Sequence, residues 1–194
     1  MNNDDITALS ARVGAVLKAR GLMMATAESC TGGGIAEAIT RISGSSAWFD
    51  RGFVTYSYEA KVDLLGVKRE SLVDYGAVSA ETAHDMVEGA ISSSRAQVAV
   101  AVTGIAGPEG GMPGKPVGTV WFAWKFQRNQ SFQRFAISVE TVHRCVSRLS
   151  RTRSSSYCII SPELFLLKCI NRKKLVANPQ KFRYCTEIQP CIFV

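Results

Sequence analysis

The chain has 194 residues, 46% hydrophobic and 20% charged, with a net charge of +7, which suits one globular domain, or one domain with an appendage. It has no run of about 18 apolar residues that would make a membrane-spanning helix, and the acidic, polar start MNNDDITALS is unlike a secretory signal, so a cytoplasmic protein with no membrane partner is expected. The positive charge does not point to nucleic acid either: residues 1–136 carry 13 basic and 13 acidic side chains, whereas residues 137–194 carry 10 basic, three acidic and five of the six cysteines, and direct nucleic-acid binding leans on clustered Lys and Arg in the folded part.

In chain order, ALSARVGAVLKARG (8–21) places Leu9, Val13, Val16 and Leu17 on one helical face and stops at Gly21. LMMATAES (22–29) is a short apolar run, a buried strand that delivers Glu28 and Ser29 at its carboxyl end. Three glycines follow, then IAEAITRI (35–42) as a helix, GFVTYS (52–57) as a strand and YEAKVDLLG (58–66) as a helix closed by Gly66. Ser79 before AETAHDMVEGAI (80–91) predicts an N-cap and a helix. AQVAVAVTG (96–104) is apolar almost throughout, the mark of a strand covered on both faces. IAGPEGGMPGKPVG (105–118) is a long Gly/Pro loop of the kind that often carries function, and GTVWFAWKF (118–126) is a further strand. The alternation predicts an α/β protein, a three-layer α/β/α sandwich.

The stretch AESCTGGG (27–34) carries the first chemistry. It joins a strand to a helix at the carboxyl edge of a sheet, where α/β proteins bind ligands. Backbone N–H groups there attract negative charge, and glycines let a ligand approach the backbone. The charge is either a phosphate or an oxyanion developing during acyl transfer; the alternative is a tight turn with Ser and Thr caps. Neither a Walker loop nor a complete dinucleotide fingerprint is present. Lys61, just past a strand and at the start of a helix, pairs with Ser29 as base and nucleophile if the fold brings them together, since a lysine whose pKa is depressed by burial can take the serine proton. Tyr56 lies near that lysine in the sequence. A solvated lysine and a core tyrosine are the commoner fates of such residues. His84 falls inside a predicted helix and His143 beyond the composition change, which argues against a Ser-His-Asp triad. Cys30 is a second candidate nucleophile, with packing beneath the loop as the alternative. Residues 1–136 hold no Cys/His spacing of a zinc site.

TAESCTGG, AWFDRGFVTYSYEAK, YGAVS, VTGIAGPEGG and KPVGTVWFA resemble, in order and at matching spacing from about residue 6 to about 136, the nicotinamide-nucleotide amidase family, also called the CinA C-terminal domain or competence/damage-inducible family. The resemblance implies hydrolysis of the carboxamide of nicotinamide mononucleotide to nicotinate mononucleotide and ammonia, in pyridine nucleotide salvage. It implies Ser29 as nucleophile, Lys61 as base and Tyr56 nearby. It also implies substrate binding by Thr31, Gly32 and Gly33 of the first loop and by Thr103, Gly104 and Gly107 of the second, where many members carry Ser in place of Thr103. Tyr58 stands where Asn is common. No metal and no cofactor are implied; the partner is a small-molecule nucleotide substrate, and a homodimer is expected. A second class of function is a catalytically impaired nucleotide binder, or a protein of competence or DNA damage; release of ammonia separates the two.

The resemblance stops near residue 136. The family continues with a strand, a GDR..VR segment whose arginines are expected to hold the substrate phosphate, and a closing helix. The chain instead reads AISVETVHRCVSRLSRTRSSSYC (136–158). One set of codons permitted for residues 136–150, read two bases later, translates as DFSGDRAQVRLQAV, which restores that segment. The expected organisation is therefore an amidohydrolase domain over 1–136 and a basic, Cys-bearing, poorly ordered tail over 137–194 that arises from a shift of reading frame; a genuine extension is the alternative.

Overall fold

The computed structural model describes residues 3–128 and 132–141. The first helix, α1 (Asn3–Ala19), buries Ile6, Leu9, Val13 and Leu17 along one stripe. Asp4 and Asp5 lie in its first turn and Lys18 in its last, the arrangement that suits the helix dipole. Strand β1 (Met24–Glu28) is buried at every position. Helix α2 (Gly34–Thr40) follows the glycines, and a 3-10 turn (Ser45–Ala47) leads into β2 (Phe49–Val54). Helices α3 (Tyr58–Leu65), α4 (Arg69–Asp74) and α5 (Ala80–Ser92) precede β3 (Val98–Gly104). An antiparallel pair closes the described part, β4 (Thr119–Arg128) and β5 (Phe132–Thr141).

The sheet has the order β2-β1-β3-β4-β5. β1 runs parallel to both β2 and β3, and β4 antiparallel to β3. Val98, Val100, Val102, Val120, Phe122 and Trp124 face one core, which α1, α2 and Trp48 cover. Ala27, Ala99, Ala101 and Ala123 face the other, with Leu65 of α3, Leu72 of α4 and Met86, Val87 and Ala90 of α5. The small side chains of that second face let α5 lie close to the sheet. The close packing extends to Gly89, where a Cβ would stand 1.9 Å from the Leu65 carbonyl oxygen. Helices on both faces of one sheet make the expected α/β/α sandwich.

The predicted elements are present, with two additions. Helix α4 is too short to show a periodic stripe. β5 passes residue 136 and pairs along β4 up to Thr141, so backbone pairing continues five residues beyond the change in composition. The rest of the expected tail, residues 142–194, lies outside the described residues. Among those described, no helix is long and apolar enough to cross a membrane.

Candidate active site

β1 turns to β2 on one side and has β3 on the other, so its carboxyl end lies where chain connections diverge, the usual ligand position in such sheets. Ser29 is the next residue. It stays in the sheet through its N–H, which donates to the Val102 carbonyl at 3.0 Å, and it is buried. Across β2, the Thr55 N–H donates to the Glu28 carbonyl at 2.8 Å. Ser57 then caps α3, its hydroxyl accepting from the Ala60 N–H at 3.0 Å. The cap fixes the first turn of α3 so that Lys61 faces inward.

Lys61 is 1% exposed. Its Nζ stands 3.0 Å from Ser29 Oγ and donates to the Thr55 carbonyl at 2.7 Å. Burial lowers the lysine pKa from its ordinary 10.5; a charged Cys30 would oppose the shift. Burial in turn pushes the Cys30 thiol up to about 11, so at neutral pH it is uncharged and gives that opposition little force. Its acceptors among the described residues are Ser29 Oγ and the Thr55 carbonyl. Once deprotonated, the Lys61 amine can accept the Ser29 proton while still donating to Thr55. The arrangement is a serine hydroxyl held against a buried base, the requirement for nucleophilic attack on a carbonyl.

The other candidates divide. The same burial that keeps Cys30 protonated makes it a poor nucleophile. His84 stands on α5 beside Asp85 and Glu88, whereas Ser29 faces Lys61. Tyr56 is 76% exposed, one residue past the carbonyl that holds Lys61. The Thr103 hydroxyl donates to the Ala77 carbonyl at 2.7 Å, tying the end of β3 to the segment before α5. Gly104 stands where a Cβ would meet the Thr119 carbonyl oxygen at 2.6 Å, and Gly107 has φ +87° against Val117.

Glu28 was part of the sequence pattern without a role in it. It is fully buried, and both carboxylate oxygens are occupied. Oε1 accepts from Ala36 N–H at 2.8 Å and Thr26 Oγ1 at 3.2 Å; Oε2 accepts from Thr31 Oγ1 at 2.7 Å, Ile35 N–H at 3.0 Å and Gly33 N–H at 3.1 Å. The signal was a charged residue ending a strand whose other positions are apolar or small, since a buried carboxylate must find donors.

This architecture has known counterparts. The model of the family described as the CinA C-terminal domain matches residues 6–151. The chain belongs to the CinA C-terminal domain family. The nicotinamide-nucleotide amidohydrolase PncC of Escherichia coli K12 is 53% identical over 134 residues, 69% of this chain and 81% of that protein. The protein of the same name from Pseudomonas putida is 57% identical over 121 residues, 62% of this chain and 76% of its own length. Among solved structures, the competence/damage inducible protein CihA of Agrobacterium tumefaciens superposes with a TM-score of 0.71 at 45% identity, covering 87% of this chain and 96% of that one.

In this CinA domain the glycine turn differs from the expected anion cradle. Gly32 and Gly33 take the left-handed conformation, φ +58° and +102°, as glycine readily does. The N–H groups of Gly33, Ile35 and Ala36, however, are already held by Glu28. Those of Gly32 and Gly34 donate to the carbonyls of Ser29 and Thr31. The chain supplies its own anion at the start of α2.

Proposed function

We propose that the chain is an amidohydrolase that deamidates nicotinamide mononucleotide to nicotinate mononucleotide and ammonia, with Ser29 as nucleophile and Lys61 as base. The observation that carries the reaction class is the buried contact of 3.0 Å between Lys61 Nζ and Ser29 Oγ. The substrate class rests on relatives named nicotinamide-nucleotide amidohydrolases at 53% and 57% identity.

The Ser29 proton passes to Lys61 as the Oγ–C bond to the carboxamide carbon forms, and the carbonyl electrons move onto oxygen. The tetrahedral intermediate collapses by breaking its C–N bond, and Lys61 returns the proton to the departing amine, which leaves as ammonia. A water, deprotonated by Lys61, then attacks the Ser29 ester. Its collapse restores the serine hydroxyl and frees the carboxylate product. Thr31, Gly32, Gly33, Thr103, Gly104 and Gly107 are the proposed substrate-binding residues, and Tyr56, which is exposed, is assigned to the substrate side of the pair.

The test is release of ammonia from nicotinamide mononucleotide by the full chain. Turnover that disappears in Ser29→Ala supports the proposal. Binding of the nucleotide without turnover would place the chain in the second class, a nucleotide binder without chemistry.

A further inference from the structure

The Ser29 turn is suspended between two elements, and one residue fastens both of its ends. The Glu28 backbone belongs to β1 and is paired there with β2 and β3. Its side chain reaches past the turn to the start of α2 and takes the N–H groups of Gly33, Ile35 and Ala36, together with the Thr31 hydroxyl inside the turn. The Glu28 carbonyl also accepts from the Thr55 N–H, and the Thr55 carbonyl holds Lys61. Glu28 therefore stands between nucleophile and base, joined to one by the turn and to the other through Thr55.

A helix start needs no buried charge for capping. A Ser, Thr, Asp or Asn at the N-cap is the common solution, and α2 has instead Gly33, with no side-chain cap. Burying a carboxylate costs several kcal/mol before its hydrogen bonds are counted. Charge-assisted hydrogen bonds are shorter and about twice as strong as neutral ones, so five donors on two oxygens fix geometry more tightly than an exposed cap. At seven residues, α2 is also too short to hold its own start in place. We propose that Glu28 is the positioning residue of the reaction: its carboxylate sets the Ser29 turn so that Oγ meets Lys61 Nζ, and by filling the start of α2 it keeps the substrate phosphate out of the glycine turn. This rests on the Ser29–Lys61 assignment.

Glu28→Gln tests it. The amide keeps the shape and one acceptor but turns N–H groups toward donors. Two readouts are taken on the full chain: kcat and KM for nicotinamide mononucleotide, and the rate at which a small alkyl fluorophosphonate, which carries no nucleotide, labels Ser29. Misplacement of a nucleophile by about 1 Å can cost about 10²-fold, so kcat and labelling should fall together by about that factor while KM stays within about twofold. Wild-type kcat and labelling in Glu28→Gln would overturn the proposal, as would a loss confined to KM.

If Glu28→Gln does not fold, Thr31→Val and Thr31→Ser decide. Positioning predicts slower labelling in Thr31→Val and recovery in Thr31→Ser. Because Thr31 is also a proposed substrate-binding residue, KM does not decide here; wild-type labelling in Thr31→Val would overturn the proposal. Labelling also separates the two claims. A wild-type chain that labels at Ser29 but leaves the nucleotide intact refutes the substrate and still tests Glu28. One that neither labels at Ser29 nor turns the nucleotide over refutes both.

Discussion

Lys61 shows what burial does to one side chain. A lysine is ordinarily solvated; this one is enclosed, with its pKa lowered by that enclosure. Because the folded value lies below the unfolded one, the folded chain favours the neutral amine, and the charge cost is fully present at low pH. Stability should therefore rise with pH from the depressed folded pKa up to 10.5, where the unfolded chain also loses its proton. Lys61→Met should melt higher than wild type at pH 7, and the gap should narrow toward pH 10 in thermal melts; a gap independent of pH would contradict this origin. The same shift predicts that kcat rises with pH as the base is freed, below the ordinary lysine range. Ser29→Ala and Lys61→Ala should each lower kcat by about 10³-fold or more, with the double variant little worse than either, because members of such a pair act as a unit. Losses that multiply would argue for separate roles. Cys30→Ala should stay within about tenfold, measured in the same assay.

At the scale of elements, the packing of α5 governs where α3 can sit. Gly89 touches the end of α3 so closely that a Cβ would overlap the Leu65 carbonyl, and α3 carries Lys61. Gly89→Ala should cost about 1–3 kcal/mol as overpacking and lower kcat by moving α3. A denaturant titration gives the first, and unchanged stability would contradict the contact. Legibility in the sequence also follows the elements. β3 and β1 are readable because strands covered on both faces are apolar or small over most of their length, and α5 because Ser79 caps it, its hydroxyl accepting from the Thr82 N–H. The Ser29–Lys61 contact was inferable only as a conditional, because it depends on β2 lying beside β1 and on the cap at Ser57. Glu28 was visible as a letter but its role was not. Its donors are mostly backbone N–H groups, which leave no mark in residue identity.

For the whole molecule, the composition changes near residue 136 while the pairing of β4 with β5 runs on to Thr141. A chain in which the segment after residue 136 is replaced by one beginning DFSGDRAQVRLQAV should have a higher kcat/KM than the 194-residue form, since a remote phosphate contact helps to position the reacting group. Equal values for the two forms would contradict the frame-shift account of the tail. The assembly proposed by family resemblance, a homodimer, is read by light scattering on either form.

The covalent step on Ser29 is read most directly from the mass of the acid-quenched enzyme. The full chain, mixed with nicotinamide mononucleotide and quenched within the first turnovers, is digested and its peptides weighed. The expected species is an ester of the nucleotide's acyl group on Ser29, absent in Ser29→Ala and lost from Lys61→Ala. Ammonia released at full rate from Ser29→Ala, or an acyl group found on Cys30 instead, would contradict it.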